Sequence, residues 1–599
     1  MGIDPVSLAI IAVVSIAAAT ASTHFLTPTP KTPSAGADQQ KGRSGNIRSA
    51  EAPQSLCFGY LVKGGLLAFI NGTGTDNEYL HEFIIMAGGE IRGIGDVKFN
   101  GEVVNEFSIA PSHDPFINAY LSRVRTSLDQ DAAPRYAPLI RIKRHLGTLT
   151  QAADPDAVAE NSQITAAHRG AGLAYIYARL QNDPAVFTTF IPEITAEIYG
   201  SVEIYDPRAN VERWTMNPAL ICGRILEIYG VDRSKIHAPA LIEAANVCDE
   251  IVQDAAGNQE LRYTANGYLE MDGDWRKALN PFISAMNGAV VEWDGIYYIY
   301  AGKWREPTLT ITDADLMGAI NRKMAGSEQD RANSVKGTFI SPASYNTKTE
   351  FPTYQDAVAL AQDSGRDNWL EIDLEMVNTP TQAQRVANQY LRESRLDEVI
   401  TMEVTLEVGL DLKPYDNVIY QSSIFGMSET YRVIGHSEMK RGTAFGVELA
   451  LKRHEPSVYD WNPNINEQSY INAATNLPGT GDGRNPVNPG ATLTSNPTGT
   501  SYAPGSAAMT WQLPASTAYT GFQIEASLQF ESRLNGGAWV SDTISIFTDA
   551  AVGETSKTIN FEDGTEPDGS YEFRNQSLIV KRIRSIYSAG SYGRWINCS

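Results

Sequence analysis

Three places in the sequence carry side chains able to do chemistry: His81-Glu82, Cys248-Asp249-Glu250, and Asp313 with Asp315. An imidazole beside a carboxylate could move a proton, an activated thiol could attack a carbonyl, and facing carboxylates could serve as acid and base. Each reaction requires the groups to meet in space, and the local patterns argue against it. His81 and Glu82 fall in an alternating stretch that reads as a strand. Their side chains then leave on opposite faces, and a solvated rim pair is expected. Asp249-Glu250 closes a helical pattern beside Cys248, with no histidine placed to act as base. Thr312-Asp313-Ala314-Asp315-Leu316 reads as the start of a helix. With 70 acidic residues, carboxylate pairs arise by number alone. Gly36 and Gly42-Arg43-Ser44 approximate a phosphate-binding loop, but the glycines are too far apart, arginine replaces lysine, and no apolar strand precedes them. G-x-S-x-G, H-E-x-x-H and dinucleotide fingerprints are lacking. No catalytic, cofactor-binding or metal-ligating residue is therefore assigned, no cofactor is expected, and the chain reads as a non-enzyme.

The cysteines Cys57, Cys222, Cys248 and Cys598 form no CxxC pair, and no histidine stands at zinc-finger spacing. They read as buried structural thiols in a protein assembled in a reducing cytoplasm. A formal charge of −22 repels DNA and anionic membranes, so nucleic-acid binding is not expected.

The elements that would hold these residues suggest a multi-domain, mainly β protein with α+β parts. At roughly 100–200 residues per domain, 599 residues make about three to five domains. Residues 6–21 carry no charge, and Asp4-Pro5 supplies a cap and a first helical residue. A helix of that length spans about 24 Å, slightly short for a bilayer. A signal peptide would want basic residues before it, and Val6 stands where myristoylation needs Ser or Thr. Apolar on all faces, residues 1–23 are expected to be buried among copies of themselves or inside a partner. A Pro- and Gly-containing linker follows over 24–50.

Residues 51–215 form a first β domain with an insertion at about 108–165. Lys63-Gly64-Gly65, Asn71-Gly72-Thr73-Gly74 and Asn100-Gly101 read as hairpin connections, the last most strongly. A helix is expected near 153–160, strands over 173–180 and 194–199, and a turn at Asp206-Pro207-Arg208. Residues 216–329 form a mixed α/β domain. It has helices over 218–229, 240–252 and 275–286, the last capped by Asp274, and a hairpin around Asp294-Gly295. Residues 330–460 return to β, with one helix over 380–393 started by Thr379 and Pro380. Ala383, Val386, Ala387, Tyr390 and Leu391 share one face of that helix. Met402, Val404, Leu406 and Val408 alternate with polar residues, which predicts a half-buried strand over 398–408. Further strands are expected over 417–420, 431–434 and 445–451. A second linker covers 461–505, and 506–599 reads as a β-sandwich with early and late aromatic positions.

Three stretches carry a family likeness. The first runs from Asn71-Gly72-Thr73-Gly74 through Ile94-Gly95-Asp96-Val97-Lys98-Phe99-Asn100-Gly101. The second includes Gly172-Leu173-Ala174-Tyr175, Asp206-Pro207-Arg208, Asn217-Pro218-Ala219 and Arg262-Tyr263-Thr264-Ala265-Asn266-Gly267. The third runs from Asn333-Ser334-Val335-Lys336-Gly337 to Gln382-Ala383-Gln384-Arg385-Val386-Ala387. In this order, over roughly residues 50–460, they resemble the central tail-tip (baseplate hub) protein of long-tailed phages, of the lambda type. The last domain is similar to fibronectin type III modules.

The resemblance implies a homotrimer on the axis of the virion tail tip, assembled in the host cytoplasm. Two tail-tube-like β-barrels per chain, from 51–215 and 330–460, would turn threefold into pseudo-sixfold symmetry, and the middle domain would close the cone. Partners would be a distal tail protein, the tape-measure protein, and a fibre or receptor-binding protein for host attachment. Tape measure and DNA would leave through the channel at ejection, the DNA without specific binding along an acidic wall. Two departures stand out. One sandwich domain leaves receptor binding to a separate fibre protein, and Tyr415-Asp416-Asn417-Val418 lacks the family's glycine before the aspartate. The resemblance does not assign the N-terminal helix. Three copies are expected to bundle in the channel and to touch the tape-measure protein or the host membrane. The competing readings are a tail-associated cell-wall hydrolase and a receptor-binding adhesion protein.

Overall fold

The computed structural model describes residues 25–26, 46, 55–105, 139–183, 187, 192–271, 274–323, 331–342, 347–441 and 443–470 of a first compact unit. Of a second unit, beginning at Ile471, it describes 487–495, 498–499, 505–513, 521–535, 538, 540–551, 554–561, 571–586 and 596–597. The expected helix over 6–21 and the phosphate-loop-like segment around Arg43 lie outside the described residues.

After two short strands, Phe25–Leu26 and Ser55–Phe58, the first unit continues with β1 (Tyr60–Gly64), β2 (Leu66–Thr73), β3 (Tyr79–Gly88), β4 (Ile91–Phe99), β5 (Glu102–Asn105) and β6 (Ile140–Leu146). Helix α1 (Pro155–Glu160), β7 (Leu173–Gln181) and β8 (Ile194–Ser201) follow. They make two four-stranded antiparallel sheets, ordered β1-β8-β4-β5 and β2-β3-β7-β6. Both sheets feed one apolar core, with Ile84, Met86, Ile94, Val97, Ile176 and Ile198 fully enclosed. Asn100 and Gly101 take φ of 49° and 89°, so the expected tight turn joins β4 to β5. The hairpin expected at Lys63-Gly64-Gly65 does not form. β1 and β2 belong to different sheets, and the chain crosses between them at Gly65, where a Cβ would stand 2.5 Å from the Ile85 carbonyl oxygen. A double glycine permits such a close crossing as readily as a turn. β6 falls inside the expected insertion. Its Ile140, Ile142 and Leu146 pack on the core, while Arg141, Lys143 and His145 alternate with them.

Those alternate residues hold α1 on the outer face of the sheet. Arg141 and Arg179 pair with Glu160, Lys143 with Asp156, and His145 with Asp154, at 2.6 to 3.3 Å. Asp154 also caps the helix, accepting from the Asp156 and Ala157 amides.

The middle of the chain supplies α2 (Pro218–Ile228), α3 (Ala238–Cys248), α4 (Trp275–Ala285), β9 (Ala289–Trp293) and β10 (Ile296–Tyr300). Asn217 and Asp274 cap α2 and α4, and Asp294-Gly295 turns β9 into β10 with positive φ at both residues. The helix expected over 240–252 ends earlier, and Ile251–Gln253 instead pairs with Gln259–Leu261.

Next come β11 (Leu309–Thr312), β12 (Asn321–Lys323), β13 (Ser334–Ser341), β14 (Trp369–Leu374), α5 (Pro380–Arg395), β15 (Val399–Thr405), α6 (Leu406–Leu410), β16 (Asn417–Ser422), β17 (Met427–Arg441) and β18 (Ala444–Arg453). β13, β14 and α5 share a core with α2, α3 and α4, in which Phe339, Ile372 and Val386 meet Leu279 and Phe282. The other strands build a six-stranded sheet, ordered β11-β16-β17-β18-β15-β12, around Ile311, Met402, Val433 and Leu449. Its outer strands are consecutive in sequence, so residues 309–323 run from one edge to the other. On the way, the Met317 amide donates to the Glu403 carbonyl at 2.8 Å. The strand expected over 398–408 stops at Thr405. The chain then coils into α6 so that Gly409 backs directly onto Val447, where a Cβ would meet that side chain at 2.3 Å.

Thr379 stands at the N-cap of α5, but its side chain caps nothing; Pro380 fills the first turn. The expected apolar face is buried, and so is a polar stripe of Gln382, Arg385 and Gln389. Gln382 accepts from the Thr264 amide and hydroxyl and donates to the Thr264 and Ala285 carbonyls. Gln389 bonds Tyr263 and Asn287. Arg385, 1% exposed, donates to Glu260 at 2.9 Å and to the Arg262 carbonyl at 2.6 Å.

In the second unit, Val487–Ser495, Gly505–Gln512 and Ser556–Phe561 form one sheet. Thr498–Gly499, Tyr571–Ile586, Gly521–Leu534 and Val540–Ala551 form another, with Ile596–Asn597 paired to Tyr571–Ile586. Met509 and Trp511 from the first sheet share a core with Phe522, Ile524 and Phe530 from the second.

Truncating Arg385 to methionine strands Glu260 in the interior without its counter-ion. Arg385→Met should cost about 3–5 kcal/mol, measured by denaturant unfolding, and adding Glu260→Gln should recover part of the loss.

Candidate functional site

The residues with chemical potential do not converge. His81 and Glu82 are buried rather than solvated, at 1% and 0% exposure. The His81 ring nitrogens bond the Thr73 hydroxyl at 2.7 Å and the Tyr177 hydroxyl at 2.8 Å. Desolvation lowers its pKa, so the ring is held neutral among hydroxyls. Burial pushes the Cys248 thiol far up, which removes it as a nucleophile, and its sulfur lies 3.9 Å from that of Met286. Asp249 is occupied by Arg208 at 2.8 Å and Asn217 at 2.9 Å, and Glu250 by Arg262 and Lys303. Cys57 and Cys222 are likewise buried, and Cys598 lies outside the described residues. Among the described residues, no group of three or more His, Cys, Asp or Glu could hold a metal ion. Also among them, no helix is long and apolar enough to cross a membrane.

Asp313 and Asp315 do start a short helical turn, and they divide the work. Asp315 turns back on Thr312, accepting from its amide at 2.8 Å and its hydroxyl at 2.7 Å. Asp313 faces the loop between β16 and β17. It accepts from the Ser423 amide at 2.7 Å, the Ser423 hydroxyl at 2.9 Å, the Tyr420 hydroxyl at 3.1 Å and the Ile424 amide at 3.2 Å. The Ser422 hydroxyl, then that of Ser423 and the Ile424 and Ser423 amides, outweigh desolvation and hold the carboxyl down to about 2. The carboxylate thereby fixes a loop that presents Ile424, 76% exposed, and Phe425, 55% exposed. Gly426 closes the turn at φ 64°. This apolar tip was not legible as a contact feature, because its rigidity comes from a carboxylate about 110 residues upstream in the chain.

A second junction joins the six-stranded sheet to the α/β core. Tyr415 occupies φ 78°, a left-handed conformation that glycine takes without strain and other residues rarely adopt. Its ring stacks on Tyr300 at 4.9 Å, and the Arg432 guanidinium lies 4.0 Å above it. Arg432 also donates to the His454 ring at 2.5 Å and the Tyr459 hydroxyl at 3.0 Å. Desolvation, reinforced by the Arg432 and Lys452 charges, keeps His454 neutral and able to accept. The turn at 415–418 thus combines a left-handed backbone at Tyr415 with an aromatic ring packed against Tyr300 and Arg432.

The Asp313 loop, the Tyr415 stack on Tyr300 and Arg432, and α5 lie within residues 274–435, the stretch that matches a family described as putative phage tail protein. The match covers less than a third of the chain. Among solved structures, the chain is similar to a protein of the native gene transfer agent virion. Identity is 14%, the TM-score is 0.48, and the match covers 76% of this chain and 93% of that one. It is also similar to the tail protein from Neisseria meningitidis MC58, with 13% identity, TM-score 0.27, and 44% and 75% coverage. A third is the 43 kDa tail protein of prophage MuSo2 from Shewanella oneidensis, with 11% identity, TM-score 0.26, and 68% and 95% coverage. No curated protein matches.

The Tyr415 backbone can be tested directly. Tyr415→Ala loses the stack and keeps the unfavourable φ, whereas Tyr415→Gly loses only the stack. The alanine variant should be less stable than the glycine variant by about 1 kcal/mol on denaturant unfolding. The Asp313 loop carries a pH signature. A carboxyl held below its usual value contributes its stabilisation above about pH 4 and loses it as pH falls through about 2. Hydrogen exchange at Ser423 and Ile424 should stay slow to about pH 3, and Asp313→Asn should speed it at neutral pH.

Proposed function

We propose that this chain is a structural component of a phage tail and, within the tail, the central tip protein of a trimeric hub. The observation that carries the reading is the match of residues 274–435 to a phage tail family over the segment that joins the six-stranded sheet to the α/β core. Two further features fit it. Residues 60–201, and the six strands drawn from 309–323 and 399–453, each wrap around a separate core, which suits two tube-like β-barrels per subunit. Three copies would then offer six such units to a hexameric tube. The α/β part would close the channel below, and the second unit would serve as a fibronectin type III-like mount for a fibre protein.

In this reading the protein holds and releases; it does not catalyse. Hydrogen-bonded junctions such as Asp313 with its loop keep the assembly rigid. A channel wall that shared the sign of the chain's net charge of −22 would hold exiting DNA weakly, with the tape-measure protein preceding it. A distal tail protein would join the hub to the tube.

Size-exclusion chromatography with light scattering should give three times the chain mass, and electron micrographs should show rings with threefold symmetry. A monomer that degrades cell walls would replace the hub with a hydrolase.

A further inference from the structure

α6 leaves an apolar patch uncovered on the first unit. Leu406 and Leu410 stand one helical turn apart, 38% and 53% exposed. Thr405 pairs with Gly446, so Leu406, which follows Thr405, and Phe445, which precedes Gly446, both adjoin that pair, and Phe445 is 61% exposed. Three large side chains of this kind clustered at one place on a surface mark a contact.

The path of the chain indicates what covers them. The short strand Phe25–Leu26 pairs antiparallel with β9, Phe25 opposite Val291 and Leu26 opposite Val290. In that antiparallel register the N-terminal end of the short strand, at Phe25, lies toward the Glu292–Trp293 end of β9. Trp293 packs edge-on against His436 at 4.5 Å, and the His436 Nε2 donates to the Gly409 carbonyl at 2.8 Å. Gly409 lies in α6 between the two exposed leucines. The N-terminal end of the Phe25–Leu26 strand is therefore directed toward the side of the fold that carries the patch. Residues 6–21 are without charge and need an apolar surface.

We propose that residues 6–21 dock on the Leu406–Leu410–Phe445 patch of their own chain. Docking of this kind covers the patch and keeps the apolar segment soluble before assembly. It replaces the three-copy bundle expected from sequence, and it does not depend on the hub reading.

The test places a photo-cross-linking residue at position 410 of the full chain, with position 358 on another exposed surface as control. Irradiation should give a chain-sized product in which position 410 is joined to residues 6–21, and the control should not. Hydrogen exchange gives a second readout. Deleting residues 2–22 should speed exchange of the α6 amides about tenfold and leave the Ser423–Ile424 amides unchanged. A two-chain product, a lipid adduct, no adduct at position 410, or unchanged α6 exchange would each overturn the proposal.

Discussion

The Arg385–Glu260 pair is enclosed between α5 and the strand Gln259–Leu261, where neither charge reaches water. Separated, each would be left in a medium that solvates ions poorly, so the two elements must stay together or the core must open. Gln382 and Gln389 extend the constraint along the same helix by bonding Tyr263, Thr264, Ala285 and Asn287. The opposite face of α5 packs Val386, Ala387 and Leu391 into the core it shares with α2, α3, α4 and β13. Hydrophobic burial gives this centre its cohesion; the directional bonds of the polar stripe choose its register.

The six-stranded sheet is attached to that centre through the Tyr415 junction. A non-glycine residue at φ 78° stores strain, and the surrounding contacts hold it there. Tyr300 stacks on one face, Arg432 covers the ring, and the Tyr415 amide donates to the Val433 carbonyl at 2.7 Å. Arg432 then reaches His454 and Tyr459, so the end of β18 and the turn after it join the same network. Such a network transmits rigidity between sheet and helices, which suits a part that bears load in an assembly.

Several of the molecule's groups that could have been catalytic are spent on architecture. Asp206 illustrates the pattern: desolvation would raise its carboxyl, yet hydrogen bonds from Arg208 and Arg213 bring it below its usual value. Asp313 does the same for an exposed loop, and His81 and His454 are held neutral by burial. Facing outward among the described residues are the apolar Ile424–Phe425 tip and the α6 patch.

What the sequence determined by itself was local. Asn100-Gly101 and Asp294-Gly295 turn where their backbone freedom says they must. Asn217, Asp154 and Asp274 cap helices through bonds to amides two or three residues away, and the apolar face of α5 follows from its spacing. Tertiary structure decided whatever depended on distant partners. Gly64-Gly65 marks a crossing between sheets because Ile85 closes over it. β6 is a strand because β7 and the core accept its alternate isoleucines. The alternation over 398–408 breaks at Leu406 because Val447 lies beneath Gly409. The polar stripe of α5 looks solvated in sequence and is buried in the fold. Desolvation and hydrogen-bond satisfaction depend on what surrounds a residue in space, and residues adjacent in sequence do not specify those surroundings.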